Sequence, residues 1–285
     1  MKNVLRTLVY NDQVSLAVID TTEIVREGIR LHGLSKASAY VFGKCLSAMA
    51  YMSSCLKNER GEISLAVKGD GTGGDIAVSG NRALRIRGYI DNTQVEGGIS
   101  FEEERACFGK NGALTIIRDD GYNRPFVGSC ALTKYGGVDE AFEEYYAISE
   151  QIPACLMTKV EFDDNGECIF AGVAAMQALP FASAETLDKV GEFPFEELLA
   201  AVKEKGVEEA VRAYFDETES VWELREAAYK CNCSREYLTR VLVSLGEAQL
   251  REIIREEGAA RVHCHYCNTD YAFTDEDADK IFSKK

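Results

Sequence analysis

The sequence predicts an α+β protein: an N-terminal mixed α/β domain with an antiparallel-rich sheet over residues 1-178, a helical linker over 179-230, and a small C-terminal domain over 231-285. Three observations predict it. Short apolar runs with strand character recur through the first part, separated by glycine-rich or Asp-Gly turns. From Ser183 the pattern changes to short, acidic, amphipathic stretches. From Cys231 onward, two tight pairs of cysteines bracket what is left of the chain. A chain of 285 residues corresponds to about two domains, and 46% apolar with 28% charged residues is the profile of a packed globular protein.

Taken in order, Val4 to Tyr10 and Val14 to Ile19 alternate apolar and polar residues as strands do, and Thr21 and Thr22 then open a helix through Leu31. Between Ser35 and Leu56 the apolar residues Val41, Cys45, Met49, Met52 and Leu56 fall on one helical stripe flanked by Ala, Ser and Gly, which predicts a central buried helix. Strands follow at Ile63 to Val67, Asp75 to Val78, Ala83 to Ile90 and Ala113 to Ile117. Asp139 to Glu150 reads as a helix ended by Pro153, and Ala154 to Phe162 with Glu167 to Ala174 reads as a hairpin around Asp164-Asn165-Gly166. In the linker, Phe195 to Lys203 and Val207 to Phe215 are helical, within a segment running from Ser183 to about Glu219. Beyond Cys233, a helix capped by Ser234, a second after Gly246, a short strand to His263, the Cys264 to Cys267 knuckle and a helix capped by Thr274 complete the chain.

The opening residues turn polar at Asn11 and Asp12 and lack the core of a signal peptide, and the run from Ala37 to Cys55 carries Lys44 and several serines, so neither export nor a membrane span is expected. The expected location is the cytoplasm. Ten cysteines in that reducing compartment point to metal binding or redox chemistry. A net charge of -15 opposes the phosphate backbone of nucleic acids, which are disfavoured as partners.

Cys231-Asn232-Cys233 and, 30 residues later, Cys264-His265-Tyr266-Cys267 supply two thiol pairs at the spacing that places four sulfurs around Zn²⁺. Four buried cysteines acting as small hydrophobes would be the plain alternative, but Lys230, Asn232, Arg235 and His265 do not belong on an apolar face. Cys231, Cys233, Cys264 and Cys267 are therefore the expected metal ligands, with one zinc per reduced chain. His263 and His265 are expected around the ligands, and Lys230, Arg235, Arg261 or a histidine as donors that offset the thiolate charge. A closed thiolate site leaves no position for a hydrolytic water; it can still act as a redox switch, since oxidation removes the ligands. Cys45, Cys55, Cys107, Cys130, Cys155 and Cys168 stand singly and read as buried residues.

These residues resemble the 33 kDa heat-shock chaperonin family, redox-regulated bacterial holdases, along essentially the whole chain. The resemblance is carried by Cys231-Asn232-Cys233-Ser234-Arg235-Glu236, Leu245-Gly246, Cys264-His265-Tyr266-Cys267-Asn268 and Tyr271, and further by Lys68-Gly69-Asp70-Gly71, Arg87-Gly88-Tyr89, Ser149-Glu150-Gln151-Ile152-Pro153 and Gln177 to Pro180. It implies a reduced, zinc-bound, inactive form that answers oxidative stress by forming disulfides within each pair, releasing zinc and unfolding its linker. The active form would be a homodimer that binds unfolded or partly folded client proteins without ATP, and the small C-terminal domain would be a zinc-binding redox switch. Six further cysteines depart from that pattern.

Other readings carry less. Lys68 to Gly74 lacks the Gly-Lys-Ser/Thr order of a phosphate loop and reads as a hairpin turn. Ser149-Glu150 has no histidine nearby, and His32 is remote from it. The alternative function is a thiol-disulfide oxidoreductase using Cys264 and Cys267, although that chemistry places Cys-x-x-Cys at a helix start after an early strand. A zinc-ribbon nucleic-acid binder is opposed by Glu236, Glu247, Glu252, Glu256 and Glu257.

Overall fold

Burial alternates along some strands of the computed structural model and is continuous along others, according to how far each face is covered. The structure describes residues 2–132, 137–152, 154–215 and 222–283. The chain divides into two compact units, Met1–Lys230 and Cys231–Lys285.

In the first unit, β1 (Val4–Val9) and β2 (Val14–Asp20) form a hairpin; β2 continues into β9 (Cys168–Ala178) and β8 (Ala154–Phe162), and the short β10 (Glu223–Arg225) edges β1. All neighbours in this five-stranded sheet are antiparallel. From Phe170 to Met176 nearly every residue of β9 is enclosed, because both faces of the sheet are covered. The six-stranded sheet runs β11 (Ala228–Tyr229), β5 (Arg85–Ile90), β4 (Ile76–Asn81), β3 (Glu62–Lys68), β6 (Ala113–Asp119), β7 (Phe126–Ala131), and only β11 is parallel to its neighbour. In β3 burial alternates strictly, with Ile63, Leu65 and Val67 inward, so this sheet is half-wet.

Between the sheets lie α1 (Thr22–His32), α4 (Val138–Tyr145) and, at the centre, α2 (Lys36–Ser54). Ser35 caps α2 by accepting from the backbone N–H of Ser38, and every residue from Val41 to Ser54 is buried, as a helix with no wet face must be. Small residues allow the close approach: a Cβ at Gly43 would stand 3.0 Å from Val25 and 3.1 Å from Val160. Lys44 is the exception in this helix. Its ammonium is 2.9 Å from Glu104 and 3.5 Å from Asp139, which compensates a charge with 8% of its side chain exposed.

The other face of the five-stranded sheet is covered by α5 (Ala184–Gly191), α6 (Phe195–Lys205) and α7 (Val207–Arg212), through Val190, Leu198, Leu199, Val202, Val207 and Val211. Ser183 caps α5, and its backbone N–H donates to Gln13 Oε1 at the β1–β2 turn.

The strands and helices named from the sequence recur within a few residues, with informative differences. The helix α3 (Phe101–Phe108) and the strands β7, β10 and β11 are not apparent from the sequence, being short or polar. The helix of 139–150 ends in a π-helical turn, Tyr146–Glu150, followed by Gln151 in the left-handed region. Pro153, expected to end it, lies outside the described residues, as do residues 216–221 of the expected linker. The glycine-rich loop after Lys68 lies against α3, whose carbonyls at Ala106 and Cys107 accept from Thr72 and Gly73 N–H. A Cβ at Gly71 would collide with the Cys107 and Ala106 carbonyl oxygens, so only glycine fits.

Candidate metal centre

The second unit places its four cysteines by two local devices and one long side chain. β12 (Ala260–Cys264) and β13 (Thr269–Phe273) form a hairpin whose turn carries Cys267, with Asn268 in the left-handed conformation and Cys267 N–H reaching the Cys264 carbonyl at 3.3 Å. Cys231 and Cys233 precede α8 (Arg235–Leu245), whose cap Ser234 accepts from Tyr237 N–H at 3.1 Å. Arg235, the first residue of that helix, donates to the Ala272 carbonyl at 3.0 Å and to Asp277 Oδ2 at 2.7 Å, and its guanidinium lies 4.4 Å from the Phe273 ring centre. The start of α8 is thus tied to β13. Behind the site, α9 (Glu247–Glu257) and α10 (Asp275–Phe282) enclose Leu242, Leu250, Ile254, Ala260, Phe273 and Ala278, and Thr274 with Asp277 forms a capping box on α10.

The four sulfurs all lie within 4.8 Å of one another, and each cysteine is half-buried and unbridged. Cys231 Sγ is 3.7 Å from Cys264 Sγ, and Cys233 Sγ is 3.1 Å from Cys267 Sγ. Metal–sulfur bonds of about 2.3 Å in a tetrahedron imply sulfur–sulfur edges of roughly 3.8 Å, so the cluster is close to the size a zinc ion requires. Four soft sulfur donors can hold such a metal ion, and their chemistry selects zinc over magnesium or calcium.

Two donors to these sulfurs are ones the sequence did not indicate. Cys233 N–H donates to Cys231 Sγ at 3.5 Å, and Tyr271 Oη lies 3.4 Å from Cys233 Sγ. Burial acts to raise the Cys233 thiol, but the hydrogen bonds from Tyr271 and from the neighbouring thiols outweigh it and hold it down at about 7. Burial pushes Cys231 up, and pushes Cys267 up to about 11. Arg235 is engaged by Ala272 and Asp277 and does not donate to sulfur as expected. His263 Nδ1 bonds Asp270 at 2.8 Å and its ring stands edge-on to His265; neither imidazole is among the grouped ligand atoms. Cys264 and Cys267 span a strand end and a turn, not the start of a helix.

Of the six scattered cysteines, Cys45, Cys107 and Cys168 are buried as expected, whereas Cys55, Cys130 and Cys155 are half-buried. Burial raises the thiols of Cys45 and Cys107, raises Cys155, and takes Cys130 and Cys168 to about 11, the environment of unreactive thiols. His32 Nε2 is 3.2 Å from the Tyr229 hydroxyl, while Glu150 pairs with Arg118 at 2.9 Å and accepts from Tyr145 at 3.0 Å. Among the described residues no helix is long and apolar enough to cross a membrane. Tyr271 is the site residue that spacing alone does not single out; its strand position opposite Val262, beside the gripped Ala272, is what brings it to the sulfurs.

A large α+β unit of two sheets around a buried helix, joined to a small unit centred on four thiols, defines a two-unit protein with a cysteine metal-binding knuckle. A family model described as "Hsp33 protein" matches residues 2–274. The "33 kDa chaperonin" of Acetivibrio thermocellus is 33% identical over 92% of this chain and 90% of its own length, and that of Clostridium perfringens 30% identical over 99% and 91%. The crystal structure of the 33 kDa chaperonin (heat shock protein 33 homolog) from Thermotoga maritima superposes with a TM-score of 0.83 at 25% identity, covering 99% of this chain and 98% of that one. The chain belongs to the Hsp33 family.

Proposed function

We propose that this chain is a redox-regulated, ATP-independent molecular chaperone, a holdase that binds unfolding proteins under oxidative stress, acts without catalysing a reaction and works in the cytoplasm. One observation carries the reading: four sulfurs converge within 4.8 Å in a unit whose core is otherwise six enclosed residues. Cys231, Cys233, Cys264 and Cys267 are the ligands of one zinc ion in the reduced form, and that ion supplies fold-holding coordination of about 10 to 16 kcal/mol.

Oxidation by a peroxide removes the ligands. One thiolate attacks a peroxide oxygen, forming S–O, breaking O–O and expelling hydroxide; its neighbour attacks that sulfur, forming S–S and expelling a second hydroxide. The partners are Cys231 with Cys233 and Cys264 with Cys267. Sulfur contacts in the reduced cluster run between the pairs, but once the metal leaves, neighbours one or two residues apart meet first. Two such links contribute only about 2 kcal/mol each, whereas a bridge across more than 30 residues would restrict the open chain by nearly 4 kcal/mol. The unit then opens.

The stretch 179-230 is the second element of the switch. The helices α5, α6 and α7 are 8, 11 and 6 residues long, too short to persist alone, and their apolar faces are hidden only by docking on the sheet. Undocked, they expose Phe195, Leu198, Val202 and Val211 as an adhesive surface for clients. The active form is a homodimer, and neither nucleic acid nor membrane is a partner. Zinc content and suppression of client aggregation, measured before and after peroxide, test the reading: one zinc and no suppression before, no zinc and strong suppression after. Equal suppression in both states would overturn it.

A further inference from the structure

We propose that Tyr271 is a positioning residue of the thiol centre, its hydroxyl donating to Cys233 Sγ and thereby setting how readily that sulfur leaves the metal and meets oxidant. The proposal rests on the zinc-thiolate reading above. Its geometry is independent of it: Tyr271 Oη stands 3.4 Å from Cys233 Sγ, within reach for a hydrogen bond to sulfur. Both ends of that contact are anchored. On one side, Cys233 is followed by the cap Ser234 and by Arg235, which grips the Ala272 carbonyl and Asp277. On the other, Tyr271 pairs with Val262 in the hairpin and is partly buried against the small core of the second unit. The backbones that carry the two groups are therefore held at a fixed spacing.

Four thiolates on a divalent ion carry an excess of about two negative charges, so a hydroxyl directed at one sulfur withdraws charge from it. A thiolate that gives up charge to a donor is a poorer nucleophile toward a peroxide oxygen. In that step the sulfur's electron pair forms S–O as O–O breaks and hydroxide leaves, so the donor opposes the reaction at Cys233. The hydroxyl therefore delays oxidation of Cys233 itself.

Tyr271→Phe in the full chain keeps the ring and removes only the oxygen. Zinc loading is measured first by metal analysis, then release of zinc to a colorimetric chelator under excess hydrogen peroxide. Y271F is expected to release zinc about tenfold faster, the lower end of what outer partners of a metal site contribute. Peptide mapping over time should show Cys233 oxidised earlier relative to Cys264 in the variant. With Co²⁺ in place of zinc, the sulfur-to-cobalt charge-transfer band should shift. Val262→Ala serves as the packing control, since it loosens the hairpin but keeps the hydroxyl; it should speed both pairs alike and leave the band in place. A Y271F chain that fails to hold zinc while V262A holds it also supports the hydroxyl's role. Y271F matching wild type in release rate, order and band overturns the proposal and leaves the zinc reading standing. A wild-type chain without zinc overturns both.

Discussion

The two units of this molecule solve the same problem with opposite means. The first encloses two sheets and a helix with no wet face, and its six cysteines sit in or against its two core clusters without pairing. The second has a core cluster of six enclosed apolar residues, yet four of its side chains converge as thiols on one point. A domain of about 55 residues buries a smaller share of its surface than a large one and is correspondingly marginal against the entropy of its chain. The role of a cysteine here is therefore set by how much core surrounds it. Where burial suffices the thiol is packing; where it does not, four thiols converge at the spacing a metal centre needs.

Stripping the metal is the strongest way to break that contrast. Removal of zinc by a chelator, or Cys231→Ser, should cost the second unit on the order of 10 kcal/mol and leave it unfolded, while amide exchange in β2, β9 and α2 stays slow. A folded, protected α8–α10 region in metal-free reduced protein would contradict it.

Within the first unit, the buried charges show how much a large core tolerates. Lys44 answers Glu104, with 1% of its side chain exposed, and Asp139 in the interior of this unit. Lys44→Met should leave those carboxylates unpaired and destabilise this unit by about 3 to 5 kcal/mol in chemical denaturation, with the zinc content unchanged. A loss below about 1 kcal/mol would show that the network is solvated and that core size is not what protects it.

A smaller effect comes from pH. Burial raises Asp139 to about 6 against the opposing pull of Lys44 and the hydrogen bonds from Thr158, in the neighbourhood of Glu104. Because its folded value lies above the ordinary carboxylate value, the ionised form is disfavoured by folding. That penalty is present above pH 6 and disappears as pH falls below 4. Between those values wild type should gain on the order of 2 kcal/mol relative to Asp139→Asn, read as the difference between their denaturation midpoints. Parallel pH curves for the two proteins would remove Asp139 from the network.

By itself the sequence determined the elements whose signals are local. The alternation of Val4 to Val9 and Val14 to Asp20, the caps at Ser234 and Thr274, and the thiol pairs at 231/233 and 264/267 each arise within a few residues of chain, where spacing and side-chain chemistry act directly. Close pairing in sequence is also why the thiol set was legible: two residues on one turn need only one fold contact to make a group of four. The tertiary structure decided what depends on distant partners. A single run of strands became two sheets because β2 pairs with β9, more than 150 residues on, instead of with β3. The short β7, β10 and β11 are strands because a neighbour offers an edge, not because their residues insist on it. Lys44 found its carboxylates 60 and 95 residues away, and Tyr271 reached Cys233 across 38. No local pattern encodes such meetings, since a hydroxyl or an ammonium has the same sequence neighbours whether it faces water, a carboxylate or a thiol; only the packed chain brings the partner.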